Sequence, residues 1–540
     1  MTAATGAANP TEVRWGREVE RATVAGRSCL VYVHRPRSVA ELLLEGRRWP
    51  EREFLVQGTR RMTRAEHERA IARVATDLRD RGISRGDTVL LLGFNRIEWV
   101  VAFWAVQTLG AVVALGNAWW SDDEVAGAAS ALAPALGVTD RAVTGVPTVG
   151  LAALQAVLES PDEAPLELVP VAEDDVALIM FSSGTTGAPK GVLMSHRSVV
   201  ANIQNVLGLT GRLPDELPDD HPGTVALLSV PLFHLAGVQV SLTTLLSGGR
   251  AVFLPGKFDP AEVLRLIEAE KVRVWGSIPT MVSRVLDHPD FDSYDTSSVS
   301  SVPMGGSAIS PELRARVGER FTSVRSRVGS LYGLTEAGGV LAAGSGKDIT
   351  SRPGAVGRAL PVVELTIRNP GPDGVGEIGA RTPTMTSGYL GDPEPITDAD
   401  GWIFSGDLGR IEADGWLYVT GRSKDIVIRG GENIAAVHVE SAVASHPAVA
   451  EVAVVPLPHP DLGEEVAAAV VLRPGRSATE KELAAHAARV LARHEVPSRW
   501  WFHPGPLPTN ASGKVVRRVV LVDWPDPAGD TTRNRSALHE

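Results

Sequence analysis

The chain has 540 residues, of which 44% are apolar and 22% charged, and its formal net charge at pH 7 is −11. This length exceeds what one hydrophobic core can hold, so a globular protein of two or more domains is predicted. The acidic excess argues against nucleic acid or an anionic membrane surface as the main partner. Because Cys29 is the only cysteine, an intramolecular disulfide is excluded, which suits a reducing cytoplasm.

The N-terminal stretch has no apolar core of the kind that a secretory signal needs, so no export signal is expected there. The most membrane-like stretch of the chain runs from Trp99 to Leu115, but Gln107, Thr108 and Gly110 interrupt it. A buried helix followed by a strand explains such a stretch better than a membrane span does. We therefore predict a protein without an integral membrane segment.

Short apolar runs alternate with amphipathic segments through the first four-fifths of the chain. The predicted strands are Thr88–Gly93, Ala111–Leu115, Val225–Val230 and Val272–Trp275, and a helix is predicted at Ile97–Gln107. Strands separated by helices are typical of parallel sheets that carry helices on their faces. The fold class is therefore predicted to be α/β, with layered sheets in a large N-terminal part.

A loop rich in Gly, Ser and Thr lies between two further predicted strands, Asp175–Phe181 and Lys190–His196, with a helix from Ser198 onward. It lacks the GxxxxGK[ST] spacing of the ordinary nucleotide-triphosphate loop. Its glycines let backbone N–H groups converge on phosphate oxygens, and its hydroxyls and one lysine add donors and charge. A solvated hairpin is the alternative. The predicted phosphate-binding residues are Ser182, Ser183, Gly184, Thr185, Thr186, Gly187 and Lys190.

A domain boundary is predicted near Gly421–Lys424, which divides the chain into residues 1–421 and a smaller α/β unit, residues 422–540. In the smaller unit, strands are predicted at Val449–Val455, Val466–Leu472 and Arg499–Phe502. The capping box Ser477-x-x-Glu480 predicts the start of a helix that places Leu483, Val490 and Leu491 on one face. A cleft between two domains is a common place for a ligand.

The stretch SSGTTGAPKG (Ser182–Gly191) resembles the phosphate loop of the adenylate-forming superfamily, which includes acyl- and aryl-CoA ligases, peptide-synthetase adenylation domains and firefly luciferase. Similarity to this superfamily extends over roughly residues 35 to 520. Its other motifs follow in order as PLFH (Pro231–His234), MGGSAIS (Met304–Ser310), YGLTE (Tyr332–Glu336), SGDLGR (Ser405–Arg410), GRSKDIVIRGGENI (Gly421–Ile434) and LPTNASGK (Leu507–Lys514). The resemblance implies a large domain that includes a distorted β-barrel, together with a small mobile C-terminal domain.

The same resemblance implies roles in ATP binding. Glu336 has a clear physical rationale, because a carboxylate near a triphosphate is repelled unless a cation such as Mg²⁺ lies between them; otherwise it is a carboxylate at a helix N-terminus. Without the family resemblance, the simpler interpretation is that Asp407 is a turn residue and that Arg422 is a solvated surface charge. The implied nucleotide contacts are Gly305, Gly306 and Ser307 along the adenine and acyl carboxylate, the Tyr332 ring on the adenine, Gly333 beside it, and Asp407 with Arg422 on the ribose. The implied catalytic residues are Lys514, Thr335, which supplies a hydroxyl, Glu336 and His234.

Lys514 resembles the catalytic lysine of the family. A carboxylate that attacks the α-phosphate of ATP brings two anions together, and a lysine there stabilises the charge that develops. By resemblance, Lys424 is the hinge about which the small domain rotates after adenylation. Gly431 then lines the tunnel for the thiol of CoA, where a side chain would block a pantetheine arm. His234 aligns with the residue beside the substrate carboxylate.

These residues predict an ATP-dependent carboxylate–CoA ligase that uses ATP, Mg²⁺ and CoA. The small or apolar residues Leu235–Val238 and Ser277–Thr280 favour an aliphatic, alicyclic or aromatic acid. An adenylate-forming enzyme with another acceptor, such as an amine, a separate carrier-protein thiol or a small inorganic nucleophile, is the alternative. A catalytically inactive adenylate-binding protein is a third hypothesis. One segment, Ala435–His438, lacks the Pro that usually opens the next helix in the family, so its docking on the large domain is expected to differ.

Overall fold

The computed structural model describes residues 14–182, 190–306, 309–324, 328–352, 354–422, 425–430, 432–510 and 513–525. Some of the residues that the sequence assigns to the site therefore lie outside the described residues. These are Ser183, Gly184, Thr185, Thr186, Gly187, Ser307, Lys424 and Gly431.

The strands of the described residues are numbered here in chain order. They are β1 Val19–Val24, β2 Arg27–Tyr32, β3 Glu53–Gln57, β4 Arg60–Thr63, β5 Thr88–Leu92, β6 Val112–Gly116, β7 Leu136–Thr139, β8 Thr148–Val149, β9 Val176–Ser182, β10 Lys190–Ser195, β11 Val225–Leu228, β12 Arg250–Phe253, β13 Met304–Gly305, β14 Ser330–Leu334, β15 Gly339–Gly344, β16 Ala355–Ala359, β17 Glu364–Arg368, β18 Gly376–Arg381, β19 Gly388–Tyr389, β20 Ile403–Ile411, β21 Trp416–Arg422, β22 Ile426–Arg429, β23 Glu432–Ala435, β24 Val449–His459, β25 Gly463–Leu472 and β26 Arg499–Phe502.

The α-helices are numbered in the same way, and most of them alternate with strands. They are α1 Val39–Leu42, α2 Arg64–Asp80, α3 Ile97–Thr108, α4 Asp122–Leu132, α5 Leu151–Leu158, α6 His196–Thr210, α7 Leu235–Leu246, α8 Pro260–Glu270, α9 Pro279–Leu286, α10 Pro311–Arg320, α11 Gly346–Thr350, α12 Ala436–Ala444, α13 Glu480–Ala487 and α14 Arg517–Val522. Short 3-10 helices occur at Leu43–Arg48, Pro214–Glu216 and Phe291–Ser293.

The first large sheet has the strand order β19-β10-β9-β6-β5-β7-β8, and its strands from β9 to β8 are parallel. Every residue of α3 is buried. The membrane-like stretch is thus a buried helix followed by the strand β6, as the sequence predicts. Among the described residues, no helix is both long and apolar enough to cross a membrane.

The second sheet has the order β11-β12-β3-β4, with β11, β12 and β3 parallel. The prediction of a strand at Val272–Trp275 is wrong. Only Val274 of this segment forms bridges, to Ala226 on one side and Ser301 on the other. Val272 and Trp275 are fully buried. The apolar run therefore indicates that the segment is buried, but it does not indicate a continuous β-strand.

The third sheet is mostly antiparallel and has the order β13-β14-β15-β16-β21-β20-β18-β17. Its strands β20 and β21 place Asp407 directly opposite Arg422. Strand β21 ends at Arg422, and Ile426 begins a strand of the next sheet. The change of sheet therefore lies between Arg422 and Ile426, and the domain boundary near Gly421–Lys424 stays a prediction.

The C-terminal sheet has the order β23-β22-β25-β24, with β26 beside β25. The predicted helix begins two residues later than expected, because the capping box is formed by Thr479 and Glu482 rather than by Ser477 and Glu480. Both pairs have the same spacing. In the structure the Thr479 hydroxyl oxygen accepts the Glu482 N–H, and the Thr479 N–H donates to the Glu482 carboxylate. Val490 lies beyond the end of the helix and is 67% exposed, so its predicted place on the buried face is wrong.

Helix α12 begins at Ala436 although the usual Pro is missing. Its N-cap residue, Ala435, forms no side-chain capping hydrogen bond. Ala436, Val439 and Val443 are buried in the core of the C-terminal sheet. Packing of this apolar face therefore fixes the start of the helix without a capping side chain.

His196 gives the large domain a predicted sensitivity to acid. Its Nδ1 atom accepts the Val39 N–H at 3.1 Å, and burial lowers its pKa to about 4. The unfolded chain binds this proton near pH 6.5, so the free energy of unfolding decreases as the pH falls from 6.5 towards 4, by about 1.4 kcal/mol per pH unit. In His196→Gln, which keeps an acceptor without titrating, we expect a smaller decrease in Tm between pH 7.5 and 5.5. An equal decrease in both proteins would contradict this assignment.

Candidate active site

The two ends of the phosphate loop meet at the carboxyl edge of the first sheet. The antiparallel pair β9 and β10 places Ser182 opposite Lys190. The Lys190 ammonium lies 5.2 Å from the centroid of the Tyr389 ring. Tyr389 comes from β19, which pairs with β10. The C-terminal end of the loop, at Lys190, therefore lies next to an aromatic residue that is distant in sequence.

Tyr389 also connects the loop to Glu336. Its hydroxyl donates to Glu336 Oε1 at 3.4 Å. Burial, followed by the charge of Glu336, raises the pKa of Tyr389 to about 12, so the hydroxyl keeps its proton at neutral pH. Sequence reasoning missed Tyr389, because its position depends on the pairing of β10 with β19.

Thr335, beside Glu336, lies in the turn after β14, where its carbonyl oxygen accepts the Gly338 N–H at 2.9 Å.

The carboxylate of Asp407 is 5% exposed and is held by two side chains. Arg422 Nε donates to its Oδ1 at 2.7 Å, and the Tyr332 hydroxyl donates to its Oδ2 at 2.8 Å. The Tyr332 hydroxyl oxygen also lies 3.1 Å from Ser405 Oγ. Each carboxylate oxygen has a further lone pair for a ligand hydroxyl. Tyr332 is 8% exposed, and its stacking on an adenine stays a prediction.

Lys514 lies at the end of a tight loop of the C-terminal unit. Its N–H donates to Asn510 Oδ1 at 3.0 Å, and its carbonyl oxygen accepts the Asn510 N–H at 2.8 Å. Thr280, in the first turn of α9, donates its hydroxyl to the Gly513 carbonyl at 3.1 Å. Gly513 has φ +75°, and a Cβ atom there would lie 2.3 Å from Ile278 Cδ1. The loop is thus fitted against the large domain.

The Lys514 side chain enters the cleft beside the other predicted residues. Its Cε atom lies 3.4 Å from the point where a Cβ atom on Gly306 would be. Partial removal from water, followed by the charge of Arg422, lowers the pKa of the Lys514 ammonium. Asp407 and Glu336 act in the opposite direction and favour the charged form. The fold therefore gathers residues from four other sequence motifs around one lysine.

His234 is the N-cap residue of α7. Its Nε2 atom is buried and has no hydrogen-bond partner among the described residues. Burial, followed by the charge of Lys514, lowers the pKa of His234 to about 4, so the imidazole is neutral at pH 7. A buried nitrogen without a protein partner is costly unless a ligand satisfies it. His234 thus has the geometry of a ligand contact.

Charged contacts join the C-terminal unit to helix α9 and its end. Arg284 donates to Glu451 Oε1 at 2.9 Å, and the second oxygen of Glu451 accepts the Leu507 N–H at 2.9 Å. Asp287 is paired both with Arg473 of the C-terminal unit and with Arg316 of the large domain. These contacts flank the Lys514 loop and hold it over the cleft.

Comparison with protein families matches both parts of the chain. The family described as AMP-binding enzyme matches residues 44–390, and the family described as AMP-binding enzyme C-terminal domain matches residues 438–514. A feruloyl-CoA synthase from an Amycolatopsis species is 34% identical over 486 residues, which cover 87% of this chain and 96% of that protein.

Solved structures of other proteins share the overall fold of this chain. An o-succinylbenzoate coenzyme A synthetase from Bacillus subtilis, in complex with ATP and magnesium ion, matches with a TM-score of 0.75 and 26% identity, over 88% of this chain and 98% of its own. A variant of an amide bond synthetase from Marinactinospora thermotolerans matches with a TM-score of 0.76 and 28% identity, over 89% of this chain and 99% of its own.

Proposed function

The chain belongs to the AMP-binding enzyme family, and from this membership we propose that it is an ATP-dependent carboxylate–CoA ligase. It forms an acyl-adenylate and pyrophosphate, and then acyl-CoA and AMP. The observation that carries the proposal is the position of Lys514 beside Asp407, Glu336 and His234. A cation there faces both the attacking carboxylate and the α-phosphate.

The residues around Lys514 fit the adenylation step. The Lys514 ammonium stabilises the negative charge that develops on the α-phosphate. Asp407, fixed by Arg422 and Tyr332, accepts the ribose hydroxyls, and the loop from Ser182 to Lys190 holds the β- and γ-phosphates. His234 Nε2, when it carries the ring proton, donates to an oxygen of the substrate carboxylate, which holds that carboxylate for attack.

Glu336 is the residue that would hold Mg²⁺. The described residues contain no group of three or more His, Cys, Asp or Glu side chains that could bind a metal by themselves. This suits Mg²⁺, which is usually bound by one or two carboxylates together with substrate phosphates. When bound, the ion supplies positive charge to the phosphates. Tyr389 links Glu336 to Lys190, because its hydroxyl donates to Glu336 and its ring lies beside the Lys190 ammonium.

The second half-reaction needs a different arrangement of the two domains, with rotation about Lys424 and entry of Gly431 beside the adenylate. The charged contacts at α9 support this part of the proposal. The Arg284 side chain is 39% exposed, whereas its partner Glu451 is 11% exposed. Polar contacts that water can replace are compatible with a rearrangement of the domains once pyrophosphate has left.

The substrate in this proposal is an apolar aliphatic, alicyclic or aromatic acid. A Cβ atom on Gly276 would meet only apolar atoms, Pro303 Cγ at 3.7 Å and Val240 Cγ2 at 3.9 Å. Leu235 and Ala236, which follow His234 in the first turn of α7, are also apolar. An amino acid or dicarboxylic acid would leave a second charge there without a partner. A cytoplasmic location completes the proposal, supported by the single cysteine, Cys29.

A panel of acids assayed with and without CoA tests the function. We expect carboxylate-dependent ATP–pyrophosphate exchange with apolar acids, and faster AMP release with acyl-CoA formation when CoA is added. Exchange with any acid would exclude the catalytically inactive protein. If adenylate accumulates and CoA never accelerates AMP release, the ligase proposal is wrong. The similarity to an amide bond synthetase makes an amine the first alternative acceptor to supply.

A further inference from the structure

A small cavity, here called the arginine pocket, lies between helix α2 and the 3-10 helix Leu43–Arg48. Its volume is about 250 Å³, and its lining includes Gly46, Arg47, Pro50, Arg64, Glu68 and Arg69. Pockets for small organic molecules usually have about 300–1,000 Å³. The arginine pocket is therefore of a size that suits a small ion or a very small molecule, rather than a whole nucleotide.

Arg64 brings a buried positive charge to this pocket. It is 3% exposed, and no carboxylate forms an ion pair with it among the residues that the structure describes. Its guanidinium donates to the carbonyl oxygens of Glu53, at 3.2 Å, and of Gly249, while its buried Nε atom has no partner within the same described ranges. Burial, followed by the charge of Arg52, lowers the pKa of Arg64 to about 10, so it is still charged at pH 7. Because buried charges are normally paired, Arg64 indicates an anionic ligand.

The other charged residues of the lining do not neutralise Arg64. Glu68 is occupied by Arg47, whose Nε lies 3.0 Å from each carboxylate oxygen and whose Nη2 donates to Oε1 at 2.7 Å. Arg69 is exposed, and in the described part of the chain it forms no ion pair. Three arginines against one glutamate leave the lining with a formal charge of +2. A phosphate group, which carries close to two negative charges at pH 7, matches this charge.

The arginine pocket is separate from the candidate active site. A Cβ atom on Gly46 would lie 3.3 Å from Leu245 Cδ1, near the C-terminal end of α7, and Arg64 contacts Gly249 just beyond that end. His234 is at the opposite end of the same helix, which has 12 residues and is therefore about 18 Å long. A ligand in the pocket is thus about one helix length away from His234.

We propose that the arginine pocket binds a phosphate group, supplied either by inorganic phosphate or by a small phosphomonoester. Arg47 and Arg69 donate to its oxygens, and the buried Arg64 adds a third positive charge. Guanidinium groups suit this role, because their N–H groups bind phosphate oxygens in pairs. A monocarboxylate carries one negative charge and would leave the lining positively charged. The site lies outside the proposed reaction and does not depend on it.

Calorimetric titration of the full chain with inorganic phosphate, at constant ionic strength, tests the proposal. We expect the Kd of the pocket to rise at least about tenfold in Arg69→Gln and in Arg47→Gln, the usual effect of losing a hydrogen bond to a charged group. Arg64→Met should also weaken binding, and Arg69→Gln decides the question if that buried replacement does not fold. Arg79→Gln changes an exposed arginine of the same helix outside the pocket, and should keep the Kd within twofold.

Two further titrations define the site. With ATP and Mg²⁺ present and no carboxylic acid, the active site is filled and phosphate binding to the pocket should persist. Glycerol 3-phosphate distinguishes the two sources, because tighter binding than inorganic phosphate assigns a phosphomonoester and weaker binding assigns the free ion. The proposal is wrong if the wild type binds no phosphate, if ATP abolishes the binding, or if acetate binds as tightly as phosphate. An unchanged Kd in both Arg69→Gln and Arg47→Gln would also contradict it.

Discussion

Replacement of Lys514 by alanine is expected to slow acyl-adenylate formation by roughly 10²–10³-fold, the usual effect of removing one electrostatic contact to a transition state. The charges of Asp407 and Glu336 favour the protonated ammonium, and the ammonium in turn lowers the pKa of the neutral His234 imidazole. In the adenylation step it faces two anions that approach each other. Formation of the thioester from supplied acyl-adenylate should proceed at the wild-type rate, because the small domain has then turned Lys514 away.

Rapid-quench measurements of the two half-reactions separate these effects. Lys481→Ala, which removes an exposed lysine from the same unit, is the matched control and should leave both rates unchanged. If Lys514→Ala slows both half-reactions equally, the proposal that the domains adopt two orientations is wrong. If it slows neither, the assignment of Lys514 to the transition state is wrong.

Replacement of Arg517 by methionine is expected to destabilise the C-terminal unit by about 1.5–3 kcal/mol, the usual value of a hydrogen bond to a charged group. Arg517 donates to both oxygens of Glu440, at 2.9 and 2.7 Å, and to Asp425 Oδ2 at 2.7 Å. Glu440 in turn accepts the Val454 N–H of β24 at 2.9 Å. Burial raises the pKa of Glu440, so a charged Glu440 without its arginine is costly.

Hydrogen exchange of the amides in β24 and β25 measures this loss locally. Exchange in these strands should become roughly 10–100-fold faster in Arg517→Met, while the first large sheet keeps its protection. The double variant Arg517→Met/Glu440→Gln is the control. The double variant removes the unpaired negative charge of Glu440 and keeps an acceptor for the Val454 N–H. The amides of β24 and β25 should therefore recover part of their protection from exchange. Equal protection in the wild type and Arg517→Met would show that the ion pair contributes nothing.

Much of the large domain could be predicted from local patterns. The strands β5 and β6 and the helix α3 follow from apolar runs and their lengths, because a parallel sheet buries its strands on both faces. The hairpin of β9 and β10 follows from its two strands on either side of a Gly-rich loop. The motifs also indicate which residues belong to the candidate site, because lysine, carboxylate and glycine residues occur in them in the order typical of the family.

Local patterns failed where two arrangements satisfy the same rule. The spacing of a capping box occurs at both Ser477 and Thr479, and only the packing of Leu483 selects the second. The apolar run Val272–Trp275 is buried as predicted, but burial alone does not determine a hydrogen-bonded partner. Val490 lies after the helix end, where the period of 3.6 residues no longer applies.

The sequence by itself determined the family, the α/β fold class and the residues that lie around Lys514, because the order of motifs and the spacing of apolar residues are properties of the sequence alone. The tertiary structure alone decided which side chains those residues meet. Tyr389 reaches Glu336, and Thr280 receives the Lys514 loop, through contacts between segments far apart in sequence. Trp119 likewise contacts both Phe94 and Lys257, although the three residues follow three different strands. Such contacts depend on strand order and packing, which no local pattern specifies.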